Sequence, residues 1–347
     1  MGTGLLLTYV IFLCFLVMGF CLVFVNAVEY FGGQIGMSDT AAGSILASFG
    51  TATPETLVPL IAILFVGSGA AGGGGGHGEE IGIGAILGAP FMLATIALGV
   101  VGISGAIGVF TKSRTSPNLM LEPGILRNFK YFFTFYPLAI IAGLIHSRTL
   151  NIILGIGLLL GYAFYVWKTL TLPEAEGGEA KEEEEEHASL WFNKIFKFKE
   201  PPLWLTILQL LVGFVMMAYI IFIFAGKLGD LAVALGIPAV ILSLIVAPLA
   251  TELPEVGGAS IFWTLRKKDT LALGNITGAM VYQSSIAVCI GLFLTPWVLT
   301  KDIAISIILA ICSAGIIFTY YLIKKGISCW ILLIGNVFYV IYLIYIL

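Results

Sequence analysis

Charge is scarce in this chain. Lys, Arg, Asp and Glu together make up 11% of its 347 residues, where a soluble globular protein carries about 25%. So few charges cannot cover a water-facing surface, which excludes a soluble enzyme or soluble binding module of this length. Histidine occurs three times. His146 falls at the end of an apolar run, and His77 and His187 fall in polar stretches. The apolar runs hold no His/carboxylate metal motif, no Asp-rich diphosphate motif and no Ser/His dyad, so an intramembrane enzyme is not expected and no cofactor is implied. The five cysteines (Cys14, Cys21, Cys289, Cys312, Cys329) show no CxxC or metal-ligand spacing and read as small hydrophobes. The net charge is only −3, and Lys and Arg scatter through the loops without forming a basic patch, so no nucleic-acid partner is expected.

What the chain has in quantity is apolar length. Hydrophobic residues make up 59%, in runs that reach the roughly 20 residues needed to cross a bilayer. Within lipid such runs must be helical. Ten spans are expected, near 4–27, 40–68, 80–104, 128–146, 149–169, 202–226, 229–264, 271–296, 302–323 and 327–347. The first reads as a retained helix and not a signal peptide, because Met1-Gly-Thr-Gly4 carries no positive charge and the run exceeds an h-region of about 7–15 residues. Of the 17 Lys and Arg, all but Arg148, Lys227 and Lys301 fall on the side that would be inside if the N-terminus is outside. That bias places both termini outside a cell membrane. The lipid bilayer is the expected partner.

The spans divide into two units, 1–169 and 202–347, joined by a polar linker over 170–201. The linker carries Glu174, Glu176, Glu179 and the run Glu182–Glu186, a composition that stays solvated. Its last part, Leu190-Trp-Phe-Asn-Lys-Ile-Phe-Lys-Phe-Lys199, interleaves aromatic and basic residues and suits a short segment lying on the membrane surface. A second polar insert, Gly72–Gly76 with His77, Glu79 and Glu80, reads as a loop between the second and third spans, since five successive glycines do not hold a helix.

The two units repeat a pair of motifs. Ala47, Thr51, Pro54 and Glu55 match Ala247, Thr251, Pro254 and Glu255 at one constant offset. Gly84, Ile86, Gly88 and Ala89 match Gly274, Ile276, Gly278 and Ala279 at another. Five spans per unit, an odd number, orient the two copies oppositely across the membrane. The expected fold is therefore an all-α polytopic membrane protein, ten transmembrane helices as two inverted five-helix repeats. Its site is expected where the repeats meet, on the motif helices 40–68, 80–104, 229–264 and 271–296.

An ionisable group in an apolar span is costly and points to function. Glu55, Glu252 and Glu255 are such groups. Thr51 lies four residues before Glu55, and Thr251 four before Glu255, so each pair shares a helix face. Prolines 54 and 254 free backbone carbonyls one turn earlier. Carboxylates, hydroxyls and carbonyls are hard oxygen ligands that suit Ca²⁺ or Na⁺ and do not suit zinc or copper. Glu252 and Glu255, three apart, do not both stay ionised easily without a cation, so protons and cations should compete there. Asn275 and Gln283 add polar groups to the eighth span, either toward an ion or as hydrogen-bonding partners between helices.

Gly50-Thr-Ala-Thr-Pro-Glu55 and Ala250-Thr-Glu-Leu-Pro-Glu255 resemble the paired signature motifs of the cation/calcium exchanger superfamily. Gly84-Ala-Ile-Leu-Gly-Ala89 and Gly274-Asn-Ile-Thr-Gly-Ala279 resemble its paired Gly-Asn-x-x-Gly-Ser segments. The resemblance implies alternating-access exchange of Ca²⁺ for Na⁺ or H⁺, with Glu55 and Glu255 as central Ca²⁺ ligands and Thr51 and Thr251 in flanking cation sites. It also marks departures. Gln283 stands where sodium-coupled members carry an acid, Glu252 where a Ser is usual, Ala85 where Asn is frequent, and Leu93 at a position usually polar. The proton-coupled branch shares the neutral Gln. A passive cation channel on the same kinked helices is the alternative.

Overall fold

The computed structural model describes residues 2–35, 52–67, 76–119, 123–171, 189–253, 256–257 and 261–346, which are helical almost throughout. Among them, eight helices are long and apolar enough to cross a membrane: α1 (Thr3–Gln34), α3 (Gly78–Phe110), α4 (Pro123–Ile145), α5 (Arg148–Thr171), α6 (Leu203–Leu235), α8 (Asp269–Leu294), α9 (Lys301–Lys324) and α10 (Cys329–Ile346). Two shorter apolar helices, α2 (Ala52–Val66) and α7 (Ala239–Leu253), complete the set, and a short helix, Ile261–Leu265, follows α7. Thr51, Pro254, Glu255, most of the acidic linker and most of the glycine insert lie outside the described residues.

The expected boundary between the sixth and seventh spans is corrected. Gly229 to Leu235 continue α6, and the chain turns at Gly236, whose φ of +68° is open to glycine at no steric cost. The Ile237 N–H bonds back to Ala232 O at 3.0 Å, and Pro238 bars any continuation of the helix. Lys227, expected in the loop, instead sits on α6 and pairs with Asp230 at 2.8 Å.

Packing repeats as the sequence does. α4 and α5 lie against α8, and their counterparts α9 and α10 lie against α3. α1 packs along α6, and α3 packs against α8, each pair being its own counterpart. The interior divides into two apolar clusters. One gathers around α3, α4, α8, α9 and α10; the other is formed by α1 and α6 with parts of α2 and α7. Ile63, Ile241 and Leu244 face the first cluster, while Val58, Ala62, Ala247 and Ala250 face the second. The motif helices α2 and α7 therefore stand at the seam between the two bodies. The outer faces of the bundle expose large apolar residues such as Phe12, Phe15, Leu160, Leu211 and Ile344, as a lipid-facing surface requires.

Gly84 and Gly88 set how closely α3 approaches α7. A Cβ at Gly84 would overlap Ser243 Oγ and the Val240 carbonyl, and one at Gly88 would overlap the Leu244 backbone. At Gly88 backbone lies against backbone, with no side chain there to move aside, the arrangement that small residues permit in membranes. Gly88→Ala is expected to cost about 1–3 kcal/mol by overpacking. Thermal unfolding in detergent checks this, and an unshifted transition would show that the interface yields.

Candidate ion site

Three polar side chains meet at the seam. Glu55 on α2 is 6% exposed, Glu252 on α7 0% and Gln283 on α8 1%. The Gln283 side-chain nitrogen donates to Glu55 Oε2 and, at 3.4 Å, to Glu252 Oε1. One amide thus joins carboxylates contributed by the two repeats. Gln283 opens a π-helical turn, Gln283–Ala287, inside α8. Such a turn is rare and tends to occur at functional positions.

The first repeat has the matching turn, Leu93–Ala97, at the same offset that relates Gly84 to Gly274. Within these turns Thr95 donates its hydroxyl to the Phe91 carbonyl and Ser285 donates to the Val281 carbonyl, both in the i−4 direction. The backbone device is duplicated, but the side chain that opens each turn differs. Leu93, fully buried, takes the place that Gln283 takes in the second repeat. The polar centre is thereby displaced onto α8.

The other expected residues take varied places. Thr251 is buried and donates its hydroxyl to Ala247 O at 3.3 Å, along its own helix. Asn275 is half-buried on α8, eight residues or about 12 Å of helix from Gln283, and is not among the three side chains that meet. Thr51 and Glu255 are outside the described residues. Among those that are described, no group of three His, Cys, Asp or Glu side chains is gathered to hold a metal ion; the carboxylates at the centre are the pair Glu55 and Glu252.

A contact that the sequence reading missed lies one residue away on both helices. Thr56 Oγ1 and Tyr282 Oη are 2.7 Å apart, a second polar bridge between α2 and α8. The Tyr282 ring meets Tyr162 edge-on at 5.7 Å. Nearly two turns before Gln283 along α8, Thr277 accepts from Asn128 Nδ2 at 3.0 Å, and Asn128 Oδ1 accepts from the Tyr165 hydroxyl at 2.9 Å. Polar residues next to motif residues in an apolar span were the available signal.

Buried acids brought together where helices of two inverted repeats meet define a membrane transporter and not an enzyme. The chain matches the family described as sodium/calcium exchanger protein over residues 5–170 and 205–347, and it belongs to that family. No curated protein matches it in sequence. Its fold is similar to that in "Crystal Structure of H+/Ca2+ Exchanger CAX", with a TM-score of 0.68, 18% identity, 98% of this chain and 85% of that one covered. "Structure of native YfkE" is similar at a TM-score of 0.65 and 12% identity, covering 94% and 90%. The sodium-calcium exchanger NCX_Mj, soaked with 100 mM Na⁺ and 10 mM Sr²⁺, is similar at a TM-score of 0.57 and 17% identity, covering 98% of both chains.

Proposed function

We propose that this chain is a secondary antiporter of the cell membrane, with both termini outside, that exchanges Ca²⁺ for Na⁺ or H⁺ by alternating access. The observation that carries the reading is the Gln283 amide spanning Glu55 of one repeat and Glu252 of the other. Two ionised carboxylates at one amide repel each other, and in a poorly polarisable interior that repulsion is large. A divalent cation or a proton relieves it, and each excludes the other. Mutually exclusive occupancy is what couples an uphill flux to a downhill one. In this reading Glu55 and Glu255 are the principal Ca²⁺ ligands, with Thr51 and Thr251 contributing oxygens. Glu252 and Gln283 complete the site. The α1/α6 pair moves with the gate, a motion supported by the separate apolar cluster those helices form.

Radiolabelled Ca²⁺ uptake into proteoliposomes, driven by an outward Na⁺ gradient in one set and an outward H⁺ gradient in another, tests this. Uptake under either gradient, and none without a counter-ion, is the expected result. Flux independent of any counter-ion would replace the antiporter with a passive channel. In the same liposomes Glu252→Ser, which removes one titrating acid, should flatten the pH dependence of uptake; an unchanged profile would remove Glu252 from the site.

A further inference from the structure

The end of the linker is tied to the membrane body by polar contacts that the ion site does not use, centred on the buried Asn26–Gln209 pair. Asn26 on α1 accepts from the Trp191 N–H at 3.1 Å and from Gln209 Nε2 at 2.9 Å. Gln209 on α6 accepts from the Phe192 N–H at 2.7 Å and donates to Val23 O at 3.0 Å. Eight residues beyond Asn26, Gln34 of α1 donates to Pro201 O at 2.6 Å and accepts from Thr206 of α6 at 2.7 Å. Asn26 is 6% exposed, and Gln209 and Thr206 are fully buried. Residues 191–201 are thus a strap, fastened at both ends across the α1/α6 pair.

Between its fastenings the strap has a fixed form. The Asn193 side chain donates to Phe198 O and accepts from the Phe198 N–H, both at 2.9 Å, closing a loop over the one-turn helix Asn193–Phe196. Lys197 turns the chain with a φ of 56°. The outward side carries three rings in mutual contact. Phe196 stacks on Phe198 at 6.2 Å, and both meet Trp204 edge-on at 6.1 Å. These rings are 48%, 41% and 52% exposed, and Ile195 beside them is 75% exposed. Lys194, Lys197 and Lys199 are exposed on the same loop, where Glu200 is the single acid in 189–204.

Exposed aromatic rings at the point where a helix enters the bilayer mark the level of the lipid headgroups. Lysines there keep their ammonium groups at the headgroup phosphates. We propose that residues 191–204 form a docking site for anionic phospholipid headgroups, and that the strap transmits lipid binding to the α1/α6 pair. The anchor holds on whichever side of the membrane the linker lies. It rests on the proposed transport function only for its effect on rate.

Quenching of tryptophan fluorescence by brominated lipid reads the docking directly. Brominated phosphatidylglycerol should quench the protein more strongly than brominated phosphatidylcholine, and Lys194→Gln/Lys197→Gln/Lys199→Gln should erase the difference. Equal quenching in the wild type, or a difference that survives the triple substitution, would overturn the site. The coupling is read as Ca²⁺ uptake in liposomes with and without phosphatidylglycerol. A rate change of about fivefold, the equivalent of one lysine's attraction to an anionic surface, is expected in the wild type and is expected to vanish in the triple variant. Gln209→Leu, which loosens the strap and leaves the lysines, should keep the quenching preference and lose the rate change. A rate indifferent to lipid in the wild type would overturn the coupling. A chain that transports nothing under any gradient would leave the quenching result standing and would count against the antiport reading alone.

Discussion

Glu55→Gln is expected to reduce Ca²⁺ exchange to background while the protein remains folded and elutes as the wild type does. The substitution keeps volume and removes one charge from a position 6% exposed and in contact with Gln283. An amide can neither balance a divalent cation as a carboxylate does nor hold an exchangeable proton. If Glu55 is a ligand as proposed, losing its charge should weaken cation affinity by about 3 kcal/mol, on the order of 100-fold in the apparent constant. Uptake against an ion gradient, with the transporter quantified in the same liposomes, gives the answer. Robust exchange by Glu55→Gln would remove the seam from the transport path, and with it the assignment of the remaining residues. Gln283→Glu makes the complementary change. It adds a third acid where sodium-coupled relatives are expected to carry one, and it should shift counter-ion preference toward Na⁺.

The second large effect lies away from the ion. Arg114, in the turn after α3, donates through Nη1 to Asp269 Oδ2 at 2.9 Å and through Nη2 to Asp269 Oδ1 and the Thr264 carbonyl. Both side chains are buried, at 7% and 3% exposure. Gly108 makes room for the arginine, since a Cβ there would lie 2.8 Å from its Cδ. The pair ties the end of α3 to the corner between the Ile261–Leu265 helix and α8. Asp269→Ala leaves a buried guanidinium without its counter-charge and is expected to cost about 3–5 kcal/mol, a loss visible as a sharply lowered unfolding temperature. Replacing both partners by apolar residues of similar volume, Arg114→Met with Asp269→Leu, should recover most of that loss, because the cost arises from the stranded charge. A double variant as unstable as Asp269→Ala would instead show that the hydrogen bond to Thr264 is the essential one.

The chain could be read a long way before it was folded. Low charge and runs of about 20 apolar residues fix a helical membrane protein, since lipid offers the backbone no other partner. Two motif pairs at constant offsets expose the duplication, and five spans per copy impose its inversion. The glutamates declare themselves because an acid inside an apolar span is too costly to be incidental. Gly84 and Gly88 announce a close helix contact, although the sequence does not say that α7 is the helix they meet.

Other features depend on geometry that no local pattern carries. The α6–α7 boundary moved to Gly236 because a Lys–Asp pair, which reads as a loop signal, can also sit on a helix surface. Thr56 and Tyr282 look unremarkable in isolation, and only the crossing of α2 and α8 makes them partners. Arg114 reads as one more positive-side loop residue until the fold buries it against Asp269, 155 positions away. Gln283 and Glu55 are 228 residues apart. The sequence by itself determined the membrane, the repeat and the acids, because hydrophobicity, periodicity and the cost of buried charge act locally along the chain. Which acid meets which amide was decided only by the tertiary structure, through the angles at which the two repeats cross.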